Sequence, residues 1–496
     1  MTSTKILRRS LLTLAATCAL IATAPAQSPA PSRAATATRT NVPALFLSDI
    51  HLDPFVDPAK VAKLNAAAAA DWPAILSAPD SPTQAKDFAA LQDACPTKGF
   101  DTPWVLWQSS LTAIRADASQ ARFATVSGDL LAHSFDCKYQ KLLPAAKPAD
   151  YVAFTEKTVR TLVSTLRAAL PGVPVYVAMG NNDSGCGDYE LDAAHDAFLG
   201  LVAKIVADAL PAVDRAEVER NFAESGTYNV PLAGVTHTRL IAIDDLFFSG
   251  KYTTCSGKAD PAPAVAQLAW LAAQLASARQ HREQVWVMGH IPPGVDVYAT
   301  ARKNGNLCTG GKPQMFLASE SLAELLAANS DVVRLAIFGH SHADEMRLLT
   351  AESSTTHPPA QSNPGVPLKI VSSITPINGN LPTFTLASID PATATLKDYS
   401  VFMASNSTGV GTTWSKEYTY STTYRERAFD AESLASLIPA LQADRTAKSA
   451  ASQAYLRNFI PGDLSIALQR AWPQYACSLD HDTAAGFSAC ACSTTK

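Results

Sequence analysis

The chain has 496 residues, with 40 lysine and arginine and 44 aspartate and glutamate side chains, which gives a formal net charge of −4. This charge offers no basic footprint of the kind that binds nucleic acid through its phosphates, so a nucleic-acid-binding function is disfavoured. The length and the 47% hydrophobic content allow one large domain with a sizeable core and a smaller appendage.

The N-terminus has the pattern of an export signal. Basic residues precede an apolar run from Leu11 to Thr23, and Ala24-Pro25-Ala26 offers a small-residue cleavage site. Because this run is too short to span a bilayer comfortably, we expect a signal peptide over residues 1–26 and no transmembrane segment after its removal. The expected location is therefore secreted or periplasmic. The Ser, Ala, Pro and Thr composition of residues 27–40 predicts a flexible leader.

From Val42 onward, apolar runs typical of strands alternate with longer helical patterns. The predicted strands cover residues 44–48, 122–127, 173–179, 227–231, 239–243, 284–288, 332–338, 345–349, 368–372 and 383–389. The predicted helices cover residues 104–118, 151–170, 189–210, 263–279, 318–328, 431–444 and 448–459. Alternation of strands and helices, followed by consecutive strands, predicts an α/β protein with two packed sheets flanked by helices.

Eight cysteines follow the predicted signal peptide. They stand at positions 95, 137, 186, 255, 308, 477, 490 and 492. An even number in an exported chain favours disulfides over free thiols, and the lack of a Cys-x-x-Cys pair disfavours a cysteine metal site. The sequence leaves the pairing open.

Five of the predicted strands stop abruptly at Asp, Asn or His side chains. The five blocks are Asp49-Ile50-His51, Gly128-Asp129, Gly180-Asn181-Asn182-Asp183, Gly289-His290 and Gly339-His340-Ser341-His342. In α/β proteins, residues that follow buried strands lie at the carboxyl edge of the sheet, where ligands bind. Metal ions that activate water need oxygen and imidazole ligands on such rigid positions. The blocks therefore predict a metal site.

The spacing within the blocks suggests how two metal ions would share these ligands. Asp49 and His51 are two residues apart, so on an extended strand end they would point to the same side and bind one metal. Asp129 could offer an oxygen to each of two metals held about 3.5 to 4 Å apart. We expect Asn181, His290 and His340 to complete the second metal site. His342 is then expected to complete the first.

In this order the blocks resemble the calcineurin-like metallophosphoesterases, whose pattern is DxH, GD, GNH[DE], GH and GHxH. Within that family the chain is most similar to the acid sphingomyelinase-like phosphodiesterases, through residues 49–54, 128–133 and 289–294. The resemblance implies a four-layer α/β/β/α sandwich over residues 41–400. Residues 401–496 are expected to form a small, mostly helical C-terminal subdomain with a disulfide-rich tail.

The resemblance also implies a reaction, the hydrolysis of phosphoesters by in-line attack of a metal-bridging hydroxide. The chain departs from the family at Asn182, where a histidine is usual. Asparagine can donate a hydrogen bond to a phosphoryl oxygen but cannot supply a proton. His133, four residues after Asp129, then becomes the better candidate for the general acid. His133 and Asn182 are the expected catalytic residues.

Several alternatives stay open at this stage. The ligand types suit zinc, iron and manganese, and zinc is the expected metal for this branch. The expected partner is a small phosphoester, either sphingomyelin-like or nucleotide-like, and the oligomeric state is open. A polyphosphatase or phosphomonoesterase would use the same ligands, and Asn182 favours that alternative. A non-catalytic phosphoester-binding protein is disfavoured because no expected ligand is missing. Asp53 is expected either to orient His51 or to cap the following segment.

Overall fold

The computed structural model describes residues 40–193, 196–303, 307–350, 364–462 and 465–493. The predicted signal peptide and nearly all of the predicted leader lie outside these ranges. Two six-stranded sheets organise the described chain. Their strands are β1 (Val42–Leu47), β2 (Phe123–Ser127), β3 (Val175–Ala178), β4 (Tyr228–Pro231), β5 (Thr238–Ala242), β6 (Gln284–Met288), β7 (Val333–Phe338), β8 (Glu345–Leu349), β9 (Val366–Ile370), β10 (Thr383–Ile389), β11 (Leu396–Ala404) and β12 (Trp414–Thr419).

The helices lie between and after these strands. They are α1 (Val61–Ala66), α2 (Trp72–Leu76), α3 (Gln84–Ala94), α4 (Trp104–Asp117), α5 (Phe135–Leu142), α6 (Pro148–Ala169), α7 (Ala197–Asp208), α8 (Arg215–Ser225), α9 (Ala262–His281), α10 (Val297–Lys303), α11 (Ser321–Ala328), α12 (Tyr420–Tyr424), α13 (Ala431–Ala443), α14 (Ala450–Phe459), α15 (Ile466–Tyr475) and α16 (Ala484–Ser493). In the described ranges, no helix combines the length and apolarity that a membrane span requires.

The first sheet has the strand order β12-β11-β10-β1-β2-β3, and the second has the order β4-β5-β6-β7-β9-β8. Strands β1, β2 and β3 run parallel to one another, as do β5, β6, β7 and β9. The remaining neighbours pair antiparallel. Each central strand is almost continuously apolar and buried, which is expected of strands covered on both faces.

The two sheets pack face to face through large aromatic side chains. The ring of Trp286 on β6 lies 6.0 Å from that of Phe46 on β1 and 5.9 Å from that of Phe123 on β2. Helix α7 packs against β3 of the first sheet and α6 packs against α7, while α9, α11 and α13 pack on the second sheet. The predicted four-layer α/β/β/α sandwich with a helical C-terminal part is confirmed.

The sandwich extends beyond the boundary that the sequence suggested. Residue 400 falls inside β11, and β12 continues the same sheet to Thr419. The helices after residue 420 pack directly on the sheets, with α13 against β8 and β9. All eight cysteines within the described ranges are paired, as Cys95–Cys137, Cys186–Cys255, Cys308–Cys492 and Cys477–Cys490. The prediction of disulfides is therefore confirmed.

Candidate metal centre

The five polar blocks follow the carboxyl ends of β1, β2, β3, β6 and β7. The first three strands are parallel neighbours in one sheet, and β6 and β7 are parallel neighbours in the other. Because the two sheets pack together, all five strand ends open at the same edge of the sandwich. Backbone hydrogen bonds join the loops beyond the strands, with Asp49 N donating to Gly128 O (3.1 Å) and His51 N donating to Asp129 O (3.0 Å).

The structure brings the predicted ligands together in two clusters that share Asp129. Within each cluster the possible ligand atoms all lie within 4.8 Å of one another. The first cluster is Asp49, His51, Asp129 and His342, and the second is Asp129, His290 and His340. Asp129 Oδ2 lies 3.1 Å from His290 Nε2 and 3.4 Å from His51 Nε2. One oxygen of Asp129, Oδ2, therefore lies next to a histidine of each cluster, while Oδ1 accepts from Asn182 N.

Asn181 lines the same cavity as Asp129 and His340. Its Nδ2 donates to Asp188 Oδ1 (2.8 Å), which turns the carbonyl oxygen away from that carboxylate. Asn181 Oδ1 is buried and finds no hydrogen-bond partner among the described residues. An unpaired buried acceptor is costly, and a cation beside it would satisfy it. No motif in the sequence pointed to Asp188.

Two of the histidines have their orientation fixed by backbone carbonyls. His51 Nδ1 lies 2.7 Å from Leu131 O, and His290 Nδ1 lies 2.8 Å from Ser127 O. A carbonyl only accepts, so each Nδ1 carries the proton and each Nε2 faces the cluster. Both Nε2 atoms are buried without a hydrogen-bond partner in the described chain. This is the arrangement that a metal-ligating histidine needs.

The electrostatic environment of the two clusters favours positive charge. Burial would lower the pKa of His51 and His290, but the carboxylate of Asp129 raises them to about 9 and about 10. Burial would raise the pKa of Asp129, yet these two imidazoles hold it well below its ordinary value. Burial and His290 lower the pKa of His340 to about 3, so this ring is neutral. Divalent cations would meet the same demand, so the residues present fit a pair of metal ions.

Backbone geometry at the first block differs from the extended strand end assumed from the sequence. Strand β1 ends at Leu47, and φ is +48° at Asp49 and +47° at His51. The two side chains still face one cluster, but they do so through left-handed backbone conformations rather than through strand alternation.

Glycines are required where the blocks meet. A Cβ on Gly128, whose φ is +90°, would lie 2.6 Å from His290 Nδ1. A Cβ on Gly180 would lie 2.2 Å from Asp129 Oδ1. Any side chain at either position would therefore push a candidate ligand out of place.

His133 stands beside the first cluster and lines the cavity. Its ring stacks on that of His51 at a centroid distance of 4.2 Å. Asp101 holds it through two contacts, because Asp101 Oδ2 accepts from His133 N (2.8 Å) and Oδ1 lies 3.0 Å from His133 Nδ1. Nε2 of His133 therefore faces the cavity. Burial would raise the pKa of Asp101, but His133, His51 and Lys138 lower it, so the carboxylate stays charged.

Of the two roles suggested by the sequence, Asp53 caps the following turn and does not orient His51. Its Oδ2 accepts from Lys138 Nζ (2.7 Å), and its Oδ1 accepts from Phe55 N (2.9 Å). Lys138 Nζ also lies 3.9 Å from Asp101 Oδ2. Asp53 therefore supports the Asp101 and His133 pair through Lys138, while the Leu131 carbonyl orients His51. Neither Asp101 nor Lys138 carries a motif that would have identified it.

Asn182 is engaged by Asp129. Its backbone N donates to Asp129 Oδ1 and its Nδ2 donates to Asp129 Oδ2, both at 2.9 Å. The next residue, Asp183, accepts from the backbone N of Gly180, Leu130 and Leu131. Together these contacts fasten the third block to the second. In this structure the Asn182 amide orients the shared carboxylate through one of its two N–H donors, and the residue also lines the cavity.

A second buried carboxylate, Asp245, fastens the fourth block. Its Oδ2 accepts from His290 N (2.8 Å), and its two oxygens each lie 3.0 Å from Ile291 N. Burial raises the pKa of Asp245 to about 7. Asp245 follows β5 and precedes no motif, so sequence patterns alone did not single it out.

The clusters lie in a cavity of about 1070 Å³. One wall contains Asp129, Asn181 and His340, and the C-terminal helices add Phe459 and Tyr475. A cavity of this size accommodates a substrate of a few tens of heavy atoms, well beyond inorganic phosphate.

Comparison with known proteins gives a consistent result. A family model described as calcineurin-like phosphoesterase matches residues 42–344. Sphingomyelinase phosphodiesterase D of Dictyostelium discoideum is 28% identical over 53% of this chain and 56% of its own length. The cyclic GMP-AMP phosphodiesterase SMPDL3A of Rattus norvegicus is 23% identical over 65% of this chain and 67% of its own length.

A human relative aligns over a longer stretch. The acid sphingomyelinase-like phosphodiesterase 3b of Homo sapiens is 23% identical over 76% of this chain and 78% of its own length. The chain spans just over half the length of the Dictyostelium relative. These relatives confirm the resemblance to acid sphingomyelinase-like phosphodiesterases that the sequence blocks indicated.

Proposed function

Because the chain belongs to the calcineurin-like phosphoesterase family, we propose that it is a phosphodiesterase with two metal ions and a small phosphoester substrate. The observation that carries this proposal is the pair of buried ligand clusters joined by Asp129. A carboxylate between two such clusters suits the close spacing of two-metal hydrolases. The names of the relatives, which include a cyclic dinucleotide phosphodiesterase and sphingomyelinase-like enzymes, support a diester substrate.

We assign the ligands as follows. Asp49, His51, Asp129 and His342 would hold the first ion, and Asp129, Asn181, His290 and His340 would hold the second. Bound there, divalent cations supply Lewis acidity toward the phosphoryl oxygens and an activated water at neutral pH. Nitrogen and oxygen donors without cysteine suit zinc, with iron and manganese as alternatives. Zinc is the proposed metal.

The general acid in this proposal is His133. Asp101 fixes Nδ1, so Nε2 can donate a proton to the oxygen of the departing alcohol. The ring is 31% exposed, which allows it to recover a proton from solvent after each turnover. Asn182 would act on the shared carboxylate, since its amide donates to Asp129 Oδ2. This role needs no proton transfer and is compatible with asparagine in place of histidine.

We also propose that the protein works outside the cytoplasm, in the periplasm or after secretion. Four disulfides support this location, because such bonds persist in oxidising compartments. The N-terminal export pattern agrees with it.

The test compares hydrolysis of bis-p-nitrophenyl phosphate and p-nitrophenyl phosphate by metal-replete and chelated protein. We expect a preference for the diester that chelation abolishes. Asp129→Ala should lose both metal and turnover, because it removes the shared ligand. His133→Ala should keep the metal and slow the cleavage of a phenyl phosphodiester, whose leaving oxygen needs a proton, by about 10²- to 10⁴-fold, the usual contribution of a general acid. Its loss on the p-nitrophenyl diester should be much smaller. His281→Ala, at an exposed histidine, is the matched control.

The outcomes separate the competing functions. Activity on the monoester alone would favour a phosphatase or polyphosphatase. Bound metal with no turnover of any phosphoester would favour a binding protein. Normal turnover by Asp129→Ala would refute the assignment of the metal centre.

A further inference from the structure

Beside the metal centre a lysine side chain contacts a tyrosine side chain, and the proposed reaction uses neither of them. Lys251 Nζ lies 4.4 Å from the centroid of the Tyr189 ring and donates to Tyr189 Oη (3.3 Å). Tyr189 Oη in turn lies 3.5 Å from Nε2 of the candidate ligand His340. One tyrosine side chain therefore separates the ammonium group from the metal centre. Both residues line the catalytic cavity.

The two loops that carry this pair are fastened to each other. The Cys186–Cys255 disulfide joins them, Thr253 N donates to Tyr189 O (3.1 Å), and Leu191 N donates to Thr253 O (3.1 Å). Tyr189 has a φ of +60°, a conformation that costs a non-glycine residue free energy and persists only where the surroundings impose it. This construction fixes the tyrosine ring, and hence the lysine, relative to His340.

Lys251 forms no close ion pair among the described residues and acts on the Asp188 carboxylate only at longer range. Across the described residues no carboxylate oxygen lies within 4.0 Å of its Nζ, whereas Lys138 lies 2.7 Å from Asp53. Asp188, the neighbour of Tyr189, has its Oδ1 occupied by Asn181. Lys251 is exposed on the rim of the cavity, and its ammonium has donors left over after the contact with tyrosine. A cation placed in this way attracts an anionic ligand.

We propose that Lys251, supported by Tyr189, forms a subsite for a second phosphate group of the substrate, carried beside the phosphodiester that is cleaved. This inference rests on the proposed function and deepens it by specifying the substrate class. The preferred substrates are phosphodiesters with an additional phosphate, and simple diesters are cleaved less efficiently. Lys251 binds the additional group through charge-assisted hydrogen bonds, and the tyrosine ring keeps the ammonium in position.

The test uses two esters with the same leaving group. They are thymidine 5′-(p-nitrophenyl phosphate) and the same ester carrying a 3′-phosphate, and the readout is the ratio of their kcat/KM values. We expect the wild type to favour the phosphorylated ester. In Lys251→Met this ratio should fall by about 5- to 10-fold, as expected for one charge-assisted contact at an exposed rim. Lys258→Met, at an exposed lysine in the same region that does not line the cavity, should keep the wild-type ratio.

Three results would be decisive against these ideas. An unchanged ratio in Lys251→Met would overturn the subsite. An equal loss on both esters would also overturn it, because the lysine would then act on structure and not on recognition. Failure of the metal-replete wild type to cleave either ester would overturn the proposed function itself. Metal content and thermal unfolding of each variant show whether the site is intact.

Discussion

Five of the seven proposed ligands have left-handed backbone conformations. These residues are Asp49, His51, Asp129, His340 and His342, with φ between +47° and +70°. A left-handed backbone conformation costs a non-glycine residue about 1 kcal/mol or more, and such strain tends to concentrate at functional sites. Hydrogen bonds between blocks, such as His340 N to the Asp49 carboxylate at 3.1 Å, hold the strained turns in place. The ligands are therefore pre-positioned by the protein before any metal binds.

The contact between Asp101 and His133 leads to a prediction about leaving groups. Asp101→Asn should slow the cleavage of a phenyl phosphodiester by about 10- to 100-fold, because a misplaced general acid protonates the leaving oxygen poorly. The rate of cleavage of the matching p-nitrophenyl ester should fall much less, since nitrophenolate departs without a proton. Steady-state kcat on both esters, with metal content, measures the effect. Thr375→Val removes another hydrogen bond to Asp101 (3.1 Å) and serves as a milder comparison. Equal losses on the two esters would contradict a positioning role.

The candidate metal ligands could be singled out in the sequence because they follow the ends of five strands within a few residues. Asp101 could not be predicted in this way. It lies 32 residues before its partner His133, and only the fold brings the two together. Asp245 is a similar case, at 45 residues from His290. Residues that position a catalytic group through tertiary contacts leave no local pattern.

At the scale of elements, the buried strands were the most predictable part of the chain. The predicted bounds for β6, β8 and β10 agree with the structure because these apolar runs have clear polar limits. The helix predicted over residues 189–210 begins later, at Ala197. Asp196 caps it by accepting from Phe198 N (2.8 Å) and Leu199 N (2.9 Å). Tyr189 and Leu191 pair with Thr253 instead, which a helical pattern could not reveal.

Strand β12 contains an acidic side chain in an unfavourable environment, which predicts a pH dependence of stability. Burial, assisted by Asp344, raises the pKa of Glu417 to about 8. The folded state therefore binds a proton that the unfolded state releases near its ordinary pKa of 4.5. The contribution of Glu417 to the free energy of unfolding should therefore fall as the pH rises from 4.5 to 8.

Glu417→Gln removes this titration. We expect it to raise the free energy of unfolding above pH 8, by up to about 5 kcal/mol, and to have little effect near pH 4.5. Urea unfolding at several pH values measures the difference. Glu432→Gln, at an exposed position on α13, should change stability little at any pH. A constant difference between Glu417→Gln and the wild type across the pH range would argue against a buried, protonated Glu417.

At the scale of the whole molecule, the C-terminal helices are built into the catalytic sandwich. Tyr475 on α15 donates to Glu345 Oε2 (2.7 Å), and Glu345 also binds Arg347 (3.0 Å). Glu345 lies three residues beyond His342, and both it and Tyr475 line the cavity. The last part of the chain therefore shapes the site, although its own sequence carries no chemical motif.

Two disulfides tie this C-terminal part down over very different lengths of chain, and they should contribute differently to stability. Cys308–Cys492 joins residues 184 apart, whereas Cys477–Cys490 joins residues 13 apart. A cross-link that closes a longer loop removes more entropy from the unfolded chain. The expected contribution to the free energy of unfolding is about 5 kcal/mol for Cys308–Cys492 and about 3 kcal/mol for Cys477–Cys490.

We therefore expect the double variant Cys308→Ala/Cys492→Ala to lose more stability than Cys477→Ala/Cys490→Ala. Urea unfolding in the presence of a chelator measures both without the contribution of bound metal, which would otherwise stabilise the folded state. The order should hold even if each absolute value is smaller, because both variants lose one disulfide from the same C-terminal part. If the short-loop variant were the less stable one, native contacts of Cys477, which is fully buried, would outweigh chain entropy. The C-terminal helices would then be held to the sandwich mainly by packing.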